Sequence, residues 1–91
     1  MDWIITVDHT DSNSVGVGSI DPNNYDKSFM KNKFKLFDDD DNLYFEGIYD
    51  ENSISDFNPE EEFEPLDWAM NDSGCTYMKY YNVKTKSWNI L

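Results

Sequence analysis

Four consecutive aspartates, Asp38–Asp41, stand between two apolar runs in "KLFDDDDNLYFEGIYD", residues 35–50. Carboxylates at this density can hold a cation, act in pairs as acid and base, or present charge to a positive partner. A calcium loop needs oxygen ligands at positions 1, 3 and 5, glycine at 6 and glutamate at 12. Counted from Asp38, Asp40 and Asn42 fit, but Leu43 and Tyr49 stand where glycine and glutamate belong. Paired-carboxylate catalysis needs two acids facing each other across a walled cleft, one of them buried to raise its pKa. A 91-residue chain has little room for that cleft. His9 is the sole histidine and Cys75 the sole cysteine. An intrachain disulfide and a cysteine-based metal site are therefore excluded, and a hydrolytic triad or a His-rich metal site nearly so. "GVGS", residues 16–19, lacks the lysine and spacing of a phosphate-cradling loop. No enzyme activity and no cofactor is expected, and a small metal-binding domain stands only as a distant alternative.

Charge remains, and it is unevenly placed. Fourteen of the 19 acidic residues lie between Asp38 and Asp72, a span without one lysine. The rest of the chain holds five acids against all seven lysines, and there is no arginine. One stretch thus carries more than the whole net charge of −12. Acidic faces keep small proteins soluble, but scattered lysines would do so with less self-repulsion. The segregation suggests that the negative field is itself the working feature. Such a field repels nucleic acid, whose duplex carries about one negative charge per 1.7 Å of axis. It attracts the proteins that bind nucleic acid. Alternate strand residues lie roughly 6.5–7 Å apart, close to the spacing of successive phosphates on one strand. The candidate partner-binding residues are Asp38, Asp39, Asp40, Asp41, Glu46, Asp50, Glu51, Glu60, Glu61, Glu62 and Glu64. Among nearby aromatics, Phe45 and Trp68 are expected in the core, while Tyr49, Phe57 and Phe63 are open as anchors for a partner.

The elements that must position these acids follow from periodicity. "WIITVD", Trp3–Asp8, is rich in β-branched residues and predicts a first strand. Residues 10–28 predict a loop-rich connection with a short strand at Val15–Ile20. Phe34 and Leu36 alternate with Lys33, Lys35 and Phe37, and Leu43, Phe45, Gly47 and Tyr49 alternate with Tyr44, Glu46 and Ile48. Two such runs predict a β-hairpin with Asp38–Asn42 at its tip and Asn42 left-handed. Residues 50–64 predict an acidic linker anchored by Ile54, Phe57 and Phe63. "PLDWAMNDSG" predicts a short helix opened by Pro65 and stopped by Gly74, with Leu66, Ala69 and Met70 on one face. "CTYMKYYN" and "SWNIL" flank "VKTK" as a closing hairpin, with Cys75 as a small core residue of its strand. The fold class is α+β: one domain, 1–91, with a small antiparallel sheet of two hairpins plus an N-terminal strand, and one short helix. An exposed edge on the closing hairpin or the first strand makes a homodimer an expectation. "MDWIITVDH" lacks a basic leader and a long apolar run, so a cytoplasmic location is expected.

"FKLFDDDDNLYFEGIYD", "FEPLDWAMNDSGCTYMKYYN" and "SWNIL" together resemble a group of small acidic uncharacterised proteins of bacterial and phage genomes. The resemblance covers residues 33–91, with Asn42 where glycine is usual. It implies a shared fold and a mobile-element origin, and it carries no activity. In size and charge the chain is also similar to phage DNA mimics and nuclease inhibitors, without a shared motif. The expected function is a non-enzymatic acidic inhibitor of the anti-restriction or anti-CRISPR type. It would occupy the basic nucleic-acid-binding site of a defence nuclease or DNA-binding protein. The alternative is an immunity protein or antitoxin for a basic toxin.

Overall fold

The structure is a computed structural model and describes residues 1–91. Five strands form one antiparallel sheet: β1 (Asp2–Asp8), β2 (Asn32–Phe37), β3 (Leu43–Asp50), β4 (Tyr77–Asn82) and β5 (Ser87–Ile90), in the order β1-β3-β2-β4-β5. One α-helix, α1 (Glu64–Ser73), joins β3 to β4 after two 3-10 turns, Glu51–Ser53 and Pro59–Phe63. The α+β class and the two hairpins expected from alternation are present. No helix is long and apolar enough to cross a membrane.

Strand alternation builds the core on one face. Trp3, Ile5, Phe34, Leu36, Phe45, Tyr49 and Met78 point to the same side, where Leu66 and Ala69 of α1 close over them. Aromatic edges fill the layer: Trp3 lies 6.2 Å from Phe34, and Phe45 4.9 Å from Trp68, between ring centroids. Rings this large let a short chain bury enough apolar area to fold. Gly47 is dictated by packing, because a Cβ there would meet the Phe34 ring at 2.2 Å and the Ile4 carbonyl at 2.6 Å.

Several local expectations are corrected. Val15–Ile20 is not a strand. It runs irregularly beside β1 through a single bridge, Ile4 to Gly18, with Ile5 N–H donating to Val17 O at 2.7 Å and Ser19 N–H to Trp3 O at 3.0 Å. Gly16 at φ 95° breaks the extended run. The left-handed residue of the hairpin tip is Asp41 (φ 63°), not Asn42, because the Asp38 carboxylate accepts from both the backbone and the side chain of Asn42 and holds it in place. The helix starts at Glu64, with Pro65 in its first turn, and Gly74 at φ 75° ends it as expected. Met70 is 52 % exposed: about 100° round the helix from Ala69, it lies at the opposite margin of the stripe centred on Leu66, and that margin is left uncovered. Trp68 packs at the core margin and is only half-buried. Cys75 is buried but precedes β4. The segment expected as a linker folds into the two 3-10 turns, with Ile54 and Phe63 against the core.

Candidate functional site

The fourteen carboxylates divide by exposure. Asp39, Asp40, Asp41, Glu51, Asp56, Glu60, Asp67 and Asp72 are exposed, whereas Asp38, Glu46, Asp50, Glu61, Glu62 and Glu64 are half-buried. Most of the half-buried group serves the fold. Asp38 closes the hairpin tip, accepting from Asp40 N–H and Asn42 N–H at 2.9 Å each and from Asn42 Nδ2 at 3.0 Å. The side-chain bond from Asn42, with the backbone bonds, holds the Asp38 carboxyl below the usual range. Asp50 caps the first 3-10 turn by accepting from Asn52 N–H at 2.9 Å.

The second 3-10 turn is fastened in the same manner. Glu61 accepts from Ser55 N–H at 3.1 Å and from the Met1 amine at 3.2 Å, and these bonds, the backbone one foremost, lower its pKa. Glu64 accepts from the indole of Trp3 at 3.2 Å. The Tyr80 hydroxyl donates to the main-chain carbonyl of Glu62. Five of the acids read from sequence as partner-binding, Asp38, Asp50, Glu61, Glu62 and Glu64, are thus tied by side chain or backbone into the scaffold.

The exposed acids occupy three connected regions. Asp39–Asp41 form the β2–β3 tip, where Asp41 accepts from the Tyr77 hydroxyl and pushes that phenol up to about 12. Asp67 and Asp72 lie on α1, whose other side carries the buried Leu66 and Ala69. Glu51, Asp56 and Glu60 lie on the 3-10 segment at the far end of β3. Eight β3 residues set the tip roughly 23 Å from Asp50. Helix α1, about 15 Å long, and residues 74–76 after it carry the chain from the Glu64 end back to the tip, where Thr76 N–H donates to Phe37 O at 2.8 Å. The acids thus form a band along the helical side and both ends rather than one cluster.

Glu46 is set apart from them. It lies on the sheet face opposite α1, contacts His9 Nε2 at 2.9 Å and stands across from Lys35. That face gathers Lys33, Lys35 and Lys79 by strand alternation. Lys35 Nζ sits 4.3 Å above the Trp88 ring, Lys79 Nζ 5.1 Å above Phe37, and Phe37 stacks on Tyr77 at 5.0 Å. The Lys35–Lys79 cross-strand pair places like charges together, and the two ring contacts offset their repulsion. The alternation of Lys33 and Lys35 with Phe34 and Leu36 signalled part of this face; the arrival of Lys79 and Trp88 depends on β4 joining β2.

Of the aromatics left open, Tyr49 is core, Phe63 packs against the core, and Phe57 is 99 % exposed beside Asp56. No three or more His, Cys, Asp or Glu side chains converge where a metal ion could sit. Cys75 is buried, and that burial, with Asp38 and Asp72 nearby, raises its thiol to about 11, far from nucleophilic activation. No protein-family model, no curated protein and no solved structure matches this chain.

Proposed function

We propose that this chain is a non-enzymatic inhibitor whose acidic band occupies the basic nucleic-acid-binding site of another protein, a defence nuclease of restriction or CRISPR type being the target class. The supporting observation is the separation of charge by face. Asp39, Asp40, Asp41, Glu51, Glu60, Asp67 and Asp72 line the helical side and the ends, while Lys33, Lys35 and Lys79 project from the opposite face. A band about as long as the molecule, whose extents are 31 × 30 × 25 Å, suits a groove that otherwise tracks a phosphate backbone. The scaffold carboxylates Asp38, Asp50, Glu61 and Glu64 hold the turns on which the free ones stand, so little ordering remains to be done on binding.

Phe57 supports the neighbouring reading of an immunity protein or antitoxin for a basic toxin. A fully exposed ring among acids suits a partner pocket, and buried aromatic anchors carry much of the energy of such interfaces. The two readings separate in one experiment. DNA cleavage by a panel of restriction and CRISPR-type nucleases is measured with the chain in excess and with rising duplex DNA. Inhibition that added DNA competes away supports the DNA-site inhibitor. If no nuclease is inhibited at low salt, that reading is withdrawn.

A further inference from the structure

We infer that the outer edge of β5 is a self-pairing edge, and that two copies of the chain join there in an antiparallel, two-fold arrangement with Trp88 of each opposite Ile90 of the other. The inference is independent of the acidic band. It starts from the two edges of the sheet. β1 is covered by residues 16–19, which take hydrogen bonds from it and give them to it. β5 has no such cover and is the last strand in the order. Its residues Ser87, Trp88, Asn89 and Ile90 include no charge and no proline, and they form no bulge with β4. Apart from its shortness, four residues, β5 carries none of the devices that blunt a bare edge, whose unpaired N–H and C=O groups template a further strand.

The register fixes which groups are free. Leu91 N–H donates to Met78 O at 3.1 Å. By the two-residue alternation of an antiparallel ladder, Asn89 and Ser87 also face β4, and the N–H and C=O of Trp88 and Ile90 face outward. Pairing Trp88 with Ile90 of the second copy, and the reverse, satisfies all four groups on each copy. It also sets the half-buried Trp88 ring against Ile90, which is 68 % exposed.

The self-complementary register names a second copy as the occupant, and the charge distribution leaves this edge open to it. Two molecules of net charge −12 repel, and they repel least where acids are absent. Residues 73–91 contain no acid and three lysines, Lys79, Lys84 and Lys86. This hairpin is the one sheet edge at which a second copy brings no carboxylate strand against another. The two-fold axis stands perpendicular to the sheet, so both helical layers, with their acids, fall on the same side of a ten-stranded sheet.

The test uses the whole chain. Sedimentation equilibrium at about 0.1–1 mM chain should show a species of twice 10.7 kDa, since a four-residue edge belongs to the small, weak class of interface. Added salt should favour it by screening like charges. The axis passes through a non-hydrogen-bonded Asn89–Asn89 pair, whose Cα atoms lie about 4.5 Å apart, within disulfide reach. Asn89→Cys should therefore cross-link under mild oxidation, and adding Ile90→Pro should lower the cross-linked fraction at least tenfold. Proline there removes only an outward N–H, so the β4 ladder stays intact. A monomer throughout the concentration range, or a dimer in which Asn89→Cys does not cross-link, overturns the inference.

Discussion

The indole N–H of Trp3 donates to the Glu64 carboxylate at 3.2 Å, joining the first strand to the first residue of the helix. An acid that looks free in sequence is therefore a bracket between sheet and helix. Trp3 is 6 % exposed, so deleting its acceptor strands a donor that water reaches poorly. Glu64→Ala should lower unfolding free energy by about 1 kcal/mol, while Glu64→Gln keeps an acceptor oxygen and most of the stability. Urea denaturation followed by tryptophan fluorescence reads both. Equal losses in the two variants would show that charge, not the hydrogen bond, matters at this position.

Asp8 organises the loop after β1. Its carboxylate accepts from Thr10 Oγ1 at 2.6 Å, Thr10 N–H at 2.7 Å, Ser14 N–H at 2.8 Å and Ser12 Oγ at 2.9 Å. Burial opposes ionisation, but these bonds prevail and hold the pKa far below the ordinary 3.8. A depressed acid contributes stability that is complete above its unfolded pKa and is lost as pH falls through the folded one. Thermal stability should thus decline from roughly pH 4 downward, and Asp8→Asn should flatten that decline while lowering stability at pH 7. An unchanged acid limb in the variant would assign the decline to other carboxylates.

Cys75 is buried and its thiol is raised to about 11, so little thiolate exists at neutral pH. An aromatic disulfide reagent should label it only as fast as the chain opens, and urea should accelerate labelling to the rate of a free thiol. Rapid labelling of the folded chain would contradict its place beneath the hairpin tip.

Phe57 makes no core contact, so Phe57→Ala should change stability by less than about 0.5 kcal/mol. The same change should weaken binding to the target by tenfold or more if the ring fills a partner pocket. Unaltered affinity would leave the carboxylates alone as the recognition surface.

Much of the fold was legible because its signals are local. Phe34, Leu36, Phe45 and Tyr49 alternate with polar neighbours and all face the core, and Gly74 stops the helix. Residues 50–64 were harder to read. Their few apolar positions follow no period, and their order comes from contacts made 60 residues apart, such as Glu61 with Met1. The acidic stretch was legible as composition only. Which carboxylates stay free depended on which backbone donors the turns left unpaired, and Glu46 fell on the far face through strand alternation. The i, i+3 and i+4 spacing of Leu66, Ala69 and Met70 marks an arc of about 100°, and its Met70 margin is left exposed.

If the exposed carboxylates of the hairpin tip and the helix form the binding surface, reversing their charge must abolish binding. The decisive measurement titrates one inhibited nuclease with three forms of the chain, at two salt concentrations. The forms are the natural one, the charge-reversed Asp39→Lys/Asp40→Lys/Asp67→Lys, and Glu46→Gln. The triple variant should remain folded and lose at least a hundredfold in affinity. Glu46→Gln should bind as the natural chain does, and salt should weaken the natural chain steeply. Retained affinity in the triple variant, or a loss confined to Glu46→Gln, would contradict that assignment of the surface.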